Sequence, residues 1–554
     1  MKRHKYRRNE SGASGFMTGV IALSLSTLAV KVIGLGFKIP MLSFLGTEGM
    51  GYFNSAYEIY ALLCVIATSG LPVALSMMVS RAIARGDYYR VRQTYRGALC
   101  FFLIIGALGT GTMMAASGRL ADAIGNPNAR MCIYAIGPAL LFVCVASAIR
   151  GYCQGFGDMS PTAVSQLIEA LSKLGFGVAF AYLALKRGYS ISIVAAFAIF
   201  GITVGCLISA IYLLILSKRD RYRCNTPNGA SGICGGAVAE LIKISFPITL
   251  GASAMGITRI LDMTLIMQRL QDIGVSVDEA NSIYGAYTTL AVPIFSLIPA
   301  LITPVSMALV PHLSSSLESG DRAAEQSVVE TSLRITTVFA IPASLGVAAL
   351  SKPILELLFS GQTEAIDISA PLLSVLAISI PFSCLITTTN AVLQSHKRIV
   401  VPLISMAIGV IVKLLVSYFL IGDPRIGTVG APIGSLLCAV TVTVINIWVM
   451  SAYPGQKISI KKVFIRPLVA ATVAVALAVA VFIWLRGIVH ISVLAIFGAM
   501  LTAFLMYIAI SVLTGNITNE DIELLPFSTS LGFIKNKKEG KEKYDDRRKE
   551  EDAS

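Results

Sequence analysis

Long apolar stretches dominate this sequence, and each has the length that an α-helix needs to cross a lipid bilayer. Lipid offers the backbone no hydrogen-bond partners, so stretches of this length must be helical; the strands of a transmembrane barrel would be shorter and would alternate in polarity. The predicted fold class is therefore an all-α polytopic membrane protein with about 14 transmembrane helices. The stretches lie at residues 17–44, 52–79, 97–117, 131–149, 161–185, 189–217, 240–268, 281–311, 334–351, 368–393, 399–421, 428–452, 467–485 and 489–514.

The composition excludes several other classes. Of the 554 residues, 55% are hydrophobic and 14% are charged, against roughly 45–50% and 25% in an average soluble domain. An ordinary cytosolic enzyme, a disulfide-stapled secreted protein and a disordered or fibrous chain are excluded on these grounds. The net charge of +14 would suggest nucleic acid in a soluble protein, but in a membrane protein it indicates basic cytoplasmic loops.

The distribution of basic residues predicts the orientation. Lys2, Arg3, Lys5, Arg7 and Arg8 mark the start of the chain as cytoplasmic, and an even number of crossings returns the C-terminus to the same side. The alternate loops that this topology places inside carry about twice as many Lys and Arg residues as the outer ones. We expect a multi-pass plasma-membrane protein with a retained first helix, a basic cytoplasmic tail at 1–16 and a charged cytoplasmic tail at 515–554.

The two halves of the chain resemble each other. Ala56 and Tyr57 match Ala286 and Tyr287, and further along Lys173 matches Lys413, at an offset that drifts slowly upward. An ordered series of this kind indicates a duplication of a six-helix unit inserted in the same orientation. The predicted organisation is two parallel six-helix lobes at 17–217 and 240–452, a cytoplasmic linker at 218–239, and two additional helices at 467–514. It favours a secondary transporter.

Ionisable residues inside the predicted spans are the best pointers to a binding site. Lys31 and Lys38 lie seven residues apart, on one face of the first span, and two ammonium groups on one face suit a phosphate or diphosphate. The alternative is structural: Lys38 extends outward to the interface and Lys31 pairs with Glu58.

Other charged residues in the predicted spans could either bind a ligand or form structural ion pairs. Arg259 and Asp262 lie three apart in span seven, where they could neutralise each other or where Arg259 could face the ligand. Glu169 and Lys173, four apart, are interpreted as an internal ion pair. Lys413 occupies the place equivalent to Lys173 but has no local acid.

No motif for catalysis or cofactor binding is found. The sequence contains no Walker loop, no HExxH motif and no His/Cys cluster, and Cys224 and Cys234 lack the spacing and the nearby His of a zinc site. We therefore expect no enzyme activity, no cofactor and no metal. The open enzymatic alternative is a membrane-embedded sugar transferase that would use the acidic residues Asp272, Asp278 and Glu279.

Three segments carry a resemblance to a known family: GLPVALSMMVSRAIARGD at 70–87, RGYCQGFGDMSPTAVSQLIE at 150–169 and YGAYTTLAVPIFSLIPALITPVSMALVPHLS at 284–314. They resemble the polysaccharide-export and lipid-flippase branch of the multidrug/oligosaccharidyl-lipid/polysaccharide exporters, near the MurJ-type lipid II flippases and the stage V sporulation proteins. The resemblance implies two lobes around a central cavity and alternating access. It also implies transfer of an undecaprenyl-diphosphate-linked sugar to the outer leaflet.

Within this resemblance, the cations of span one, Lys31 and Lys38, hold the diphosphate. MurJ-type proteins often carry an arginine near the segment that corresponds to 284–287, and Arg259 is the candidate to replace it here. The resemblance also implies that the two additional helices at 467–514 form a groove that binds the lipid tail.

The leading hypothesis is a lipid-linked oligosaccharide flippase, with Lys31, Lys38, Glu58, Arg259 and Asp262 as candidate site residues. Its expected partners are the lipid-linked substrate, membrane lipids and H⁺ or Na⁺ as a coupling ion, with no nucleic acid, and the protein is expected to be a monomer. The alternative is an ion-coupled multidrug antiporter of the toxic-compound extrusion branch, in which Asp262 would carry the coupling.

Overall fold

The computed structural model describes residues 12–218, 235–302, 322–396, 398, 400–452, 459–489 and 492–513. Within these ranges every regular element is a helix. Residues 1–11 and 514–554, most of the linker predicted at 218–239, the part of the 284–314 motif beyond residue 302, and Cys224 and Cys234 lie outside the described residues.

The helices follow the apolar stretches closely. Their bounds are α1 Gly12–Thr68, α2 Gly70–Ala84, α3 Tyr88–Ala115, α4 Ser117–Ala123, α5 Arg130–Ile136, α6 Ala139–Gly155, α7 Ser160–Lys186, α8 Ile191–Ser217, α9 Gly235–Asp272, α10 Val277–Ala286, α11 292–302, α12 Arg322–Ala349, α13 Ser351–Leu358, α14 Thr363–Ile378, α15 Ile380–Ser395, α16 Val400–Ile421, α17 Gly430–Ser451, α18 Arg466–Val489 and α19 Ser492–Leu513. A π-helical turn, Tyr287–Ala291, joins α10 to α11.

Twelve of the described helical segments are long and apolar enough to cross a membrane, or 13 if the bent pair α14 and α15 counts as one span. One of the 12, Ser26–Ala84, has 59 residues, which as a straight helix would be about 88 Å long, against roughly 30 Å of hydrocarbon. It bends at Gly46, whose φ of 64° is open to glycine at no steric cost, so this segment can hold two crossings. The all-α polytopic membrane fold is confirmed, and the count of fourteen is approximate.

The chain divides into two compact units. The first comprises 1–294, 355–373 and 410–435. Its core is formed where α2, α3 and α6 pack together, with Leu75, Phe102 and Cys144 fully buried. Gly106 of α3 lies so close to α6 that a side chain there would meet the backbone of Leu141. Small residues at such crossings let apolar helices approach closely in the absence of a hydrophobic driving force between them.

The second unit comprises 295–354, 374–409 and 436–554. Here α12 contacts α19 and the π-helical turn Lys461–Ile465 that precedes α18. The Thr337 hydroxyl donates to the Val463 carbonyl of that turn (2.6 Å), and the Tyr507 hydroxyl of α19 donates to the Val338 carbonyl (2.8 Å). Asn446 of α17 donates to Thr389 of α15 at 2.9 Å. The lobe boundaries that the duplication predicts remain a prediction.

Candidate functional site

The first unit brings α1 and α10 into close contact. Gly51 and Gly285 lie at the crossing, where a Cβ on Gly285 would overlap the carbonyl oxygen of Thr47 and one on Gly51 would overlap Asn281. Asn281 also donates to the carbonyl of Glu48 at 2.6 Å. The two glycines therefore allow backbone contact between helices more than 200 residues apart in the sequence.

A polar network surrounds this crossing. The Tyr52 hydroxyl lies 2.7 Å from the Glu48 carboxylate and 3.2 Å from the Asp278 carboxylate. Asn128 reaches the same hydroxyl at 3.3 Å and Asp278 at 3.4 Å. These residues come from α1, from the connection between α4 and α5, and from α10, so they tie three parts of the unit together near the bend at Gly46.

The two lysines of α1 have different surroundings. Lys38 Nζ donates to the carbonyl oxygen of Thr288 at 2.6 Å, within the π-helical turn that follows α10. Such turns often mark functional sites. Lys31 has an exposed side chain, and it forms no ion pair with any described residue. The structural alternative for this pair is wrong, because Lys38 turns toward α10 and Glu58 takes a different partner.

That partner is Arg259 of α9, whose Nη1 lies 3.9 Å from Glu58 Oε2. Asp262, one turn further along α9, pairs with Lys413 of α16 at 2.5 Å. The alternative in which Arg259 and Asp262 neutralise each other is therefore wrong, because each pairs with a different residue. Residues three apart on a helix point about 60° away from each other, and here each side chain meets a different neighbouring helix.

Lys38, Glu58, Arg259, Asp262 and Lys413 form what we call the charge cluster, with three cations and two anions. The pair formed by Asp262 and Lys413 is largely buried, with side-chain exposures of 15% and 14%. Arg259 is 53% exposed and sits at the distance limit of an ion pair. It is therefore the accessible cation of the cluster.

A second polar region is a cavity of about 530 Å³ in the same unit, which we call the cleft. Arg150 lines it and donates to the Glu169 carboxylate at 3.0 Å. The predicted ion pair between Glu169 and Lys173 is wrong: Glu169 pairs with Arg150, and Lys173 Nζ lies over the rings of Phe37 (5.0 Å) and Tyr57 (4.9 Å).

Arg150 is the site residue that sequence reasoning missed. Its position at the end of the fourth apolar stretch suggested a cytoplasmic loop, whereas it lies inside α6 with its side chain 11% exposed. A signal was available in the family-like motif that begins with Arg150 and ends with Glu169, because these two residues form the ion pair.

Two of the three acidic residues of the sugar-transferase alternative have side-chain partners. Asp272 accepts from Arg269 at 2.8 Å, and Asp278 contacts Tyr52 and Asn128. The Glu279 carboxylate forms no ion pair with a described residue, and its backbone amide donates to the Ser276 hydroxyl as part of the helix cap at the start of α10. In the described part of the chain, no group of three or more His, Cys, Asp or Glu residues is placed to hold a metal ion.

The fold and the charged residues can now be compared with known proteins. The family model described as polysaccharide biosynthesis protein matches residues 16–317. The chain belongs to the polysaccharide biosynthesis protein family. A second model, MatE, matches residues 285–419. Both matches agree with the exporter superfamily that the sequence motifs resemble.

Curated relatives extend over most of the chain. Stage V sporulation protein B of Bacillus subtilis (strain 168) is 24% identical over 81% of this chain and 86% of its own length. Lipid II flippase MurJ of the same organism is 26% identical over 74% of this chain and 78% of its own. A solved structure of lipid II flippase MurJ in an inward closed conformation aligns with a TM-score of 0.68 at 15% identity, covering 89% of this chain and 98% of that one. This member of the polysaccharide biosynthesis family is thus a multi-pass membrane protein with a MurJ-like fold.

Proposed function

We propose that this protein is a flippase that moves a lipid-linked oligosaccharide, carried on undecaprenyl diphosphate, from the inner to the outer leaflet of the plasma membrane. Lipid II or a related cell-envelope precursor is the substrate, and alternating access is the mechanism. The proposed activity is transport without covalent chemistry, coupled to an ion gradient or to the membrane potential.

The observation that carries the proposal is the loose pairing of Arg259. Its guanidinium is more than half exposed, and its Glu58 partner stands 3.9 Å away, so a stronger acceptor can displace that carboxylate. Arginine binds phosphate oxygens through two parallel hydrogen bonds. A diphosphate would form a stronger interaction with the Arg259 guanidinium than Glu58 forms at its present distance of 3.9 Å.

The lysines of α1 support the same assignment. Lys38 lies in the charge cluster, and Lys31 lies two turns away on the same helical face without a carboxylate partner among the described residues. Together with Arg259 they supply positive charge for an anionic headgroup. The similarity to lipid II flippase MurJ and stage V sporulation protein B favours a lipid-linked glycan as the molecule that carries this anionic headgroup.

The orientation in this proposal follows the positive-inside rule, with both termini cytoplasmic. The bend at Gly46 and the polar network of Tyr52 then lie on the outer side, between the two crossings of α1. In that arrangement the contact between the bend of α1 and α10 lies on the outer side of the membrane, and transport requires that it open.

The test is transport in reconstituted vesicles with labelled lipid-linked precursors that differ in headgroup. Arg259→Gln removes the accessible cation, and the loss of charge-assisted hydrogen bonds worth about 1.5–3 kcal/mol predicts a transport rate lower by roughly 10- to 100-fold. Arg187→Gln, at the exposed end of α7, is the matched control. The double variant Lys31→Ala/Lys38→Ala should show a comparable loss. Wild-type transport by both site variants, at matched protein levels, would remove the basis of the proposal.

A second candidate function is an ion-coupled multidrug antiporter. It is favoured by the MatE match and by the buried pair of Asp262 and Lys413 inside the spans, because buried carboxylates commonly carry coupling ions in transporters. Drug efflux that disappears in Asp262→Asn, while lipid-linked precursors are not transported by the wild-type protein, would decide for this candidate.

A further inference from the structure

The cleft of the first unit is lined by matching faces of two antiparallel helices. On each helix, four of the lining positions are spaced by four, three and four residues, which is one helical face. These positions are Thr162, Gln166, Glu169 and Lys173 on α7, where Ala170 is a fifth lining residue, and Val143, Ser147, Arg150 and Gln154 on α6. Seven of the eight side chains at these spaced positions are polar or charged, and polar side chains inside a membrane are costly unless they serve a pathway or a site.

The cleft runs a long way along α7. At one end, Gln154 donates to Thr162 at 3.0 Å, next to the connection between α6 and α7. From Thr162 to Lys173 the helix rises about 16 Å, roughly half the hydrocarbon thickness of a bilayer. Lys173 is therefore at the deep end of a polar cleft.

The charges of the cleft do not balance. Arg150 neutralises Glu169, and two further hydrogen bonds, to Ser165 (2.9 Å) and Ser209 (3.2 Å), fix the guanidinium. No ion pair joins Lys173 to a carboxylate in the described part of the chain; its Nζ lies over Phe37 and Tyr57. Aromatic faces offset only part of the cost of a desolvated cation. One positive charge is left over.

The internal duplication shows what the N-terminal copy lacks. Lys413, the counterpart of Lys173, is neutralised by Asp262. The offset that relates Ala56 to Ala286 places Val32 opposite Asp262, so the N-terminal copy has an apolar residue where the C-terminal copy has the acid. The two equivalent lysines thus differ: Lys413 is in direct contact with a carboxylate, whereas Glu169, one turn from Lys173, is paired with Arg150.

A hydrogen-bonding group without a partner lines the same wall. The Gln166 side chain forms no hydrogen bond with a described residue, and its Oε1 is inaccessible to solvent. The Nε2 of the same amide is not buried in this way, so its NH₂ group is the donor that Gln166 can offer to the cleft. Gln166 and Lys173 are two turns apart, about 10 Å along the axis, which their long side chains and a tetrahedral oxyanion can span.

We propose that the cleft binds a phosphate-type oxyanion between Lys173 and Gln166. The anion supplies the charge that Asp262 supplies in the other copy, and its oxygens accept from the ammonium and the amide. Free phosphate and the phosphate of a prenyl carrier share this chemistry. The site uses different residues from the charge cluster, although Lys38 of that cluster lies within electrostatic range of Lys173, and it does not depend on the transport proposed above.

The test measures binding of radiolabelled inorganic phosphate to the full-length protein in detergent, with farnesyl phosphate and chloride as competitors. Lys173→Met keeps the length of the side chain and removes its charge, and it should weaken binding at least 10-fold. Lys173→Arg should retain binding, and Lys186→Met, at the exposed end of the same helix, is the matched control. Displacement by farnesyl phosphate well below the phosphate concentration would identify the prenyl carrier as the source, and equal potency would identify free phosphate.

Three results would overturn the proposal. The first is the absence of phosphate and farnesyl phosphate binding in the wild-type protein at millimolar concentration. The second is binding that persists in Lys173→Met and is lost in Arg259→Gln, which would move the oxyanion to the charge cluster. If Lys173→Met does not fold, Gln166→Leu is measured instead, and its affinity for phosphate should be at least threefold lower than that of the wild-type protein. The third overturning result is an unchanged phosphate affinity in Gln166→Leu.

Discussion

The buried ion pair of Asp262 and Lys413 permits a quantitative prediction. The two side chains are 15% and 14% exposed and their charged atoms are 2.5 Å apart. Asp262 Oδ1 has no hydrogen-bond partner among the described residues, so Lys413 is the main source of stabilisation for this carboxylate. The perturbations are Asp262→Asn, Lys413→Met and the two combined.

Removal of one partner leaves an uncompensated charge in a low-dielectric site, which costs about 3–5 kcal/mol, whereas replacement of both is often close to neutral. Unfolding entropy of about 2.1 cal/mol/K per residue gives a chain of this length roughly 1 kcal/mol per kelvin. Each single variant should therefore lower the Tm by about 3–4 °C, and the double variant should recover most of the loss. Lys413→Met should be the more harmful single change, because it leaves both oxygens of Asp262 without a partner.

The measurement is thermal unfolding of the purified protein in detergent, followed by far-UV circular dichroism. The matched control is the exposed pair of Arg90 and Glu240, which is 3.3 Å apart with exposures of 51% and 39%; Glu240→Gln should shift the Tm by less than about 1 °C, because exposed pairs contribute 0–1 kcal/mol. Additive losses in the double variant would show that the two charges do not stabilise each other, and the reasoning would then fail.

Three further predictions concern the α1 contact and the orientation. Gly285→Ala would place a methyl group against a carbonyl of α1, and overpacking of about 1–3 kcal/mol should lower the Tm, whereas Gly111→Ala, in open space on α3, should not; equal Tm values for both would contradict the close crossing. Tyr52→Phe removes the hydroxyl between two carboxylates and should destabilise the protein by about 1–3 kcal/mol, measured by the same unfolding assay; an unchanged Tm would argue against the network. In intact cells, a membrane-impermeant thiol reagent should label Ser190→Cys but not Ser160→Cys, above the background of the native cysteines, and the reverse pattern would invert the proposed orientation.

Much of the fold could be predicted from the sequence because the signal is local. A stretch such as 189–217 must satisfy its own backbone hydrogen bonds in lipid, and the structure has helix α8 at Ile191–Ser217. The boundary between the first two membrane crossings is less clear from the sequence. The first apolar stretch ends at residue 44, whereas α1 continues through this boundary as one helix that bends at Gly46. Span number therefore depends on how a bend is counted.

The candidate site was predictable only in part. Span position identified Lys38, Glu58, Arg259 and Asp262 as costly charges that need a partner or a ligand, and the structure brings these four together with Lys413. Helical spacing gave the wrong partners, because neighbours three or four residues apart compete with side chains on helices that are far away in the sequence. Arg150 was missed because it follows the end of an apolar stretch, and only the motif at 150–169, which contains both Arg150 and Glu169, linked the two residues before the structure did.

The sequence by itself determined that the chain forms apolar membrane helices, how the basic residues bias its orientation, and which charged residues lie inside the spans. These properties depend on transfer of each segment from water to lipid, which is additive along the chain. Only the tertiary structure decided which charge neutralises which. Apolar helices can pack against lipid or against one another with little difference in free energy. The assembled helices therefore decide that Glu58 faces Arg259 and that Asp262 faces Lys413. They also decide that Lys173 lies over aromatic rings and forms no ion pair with a described residue.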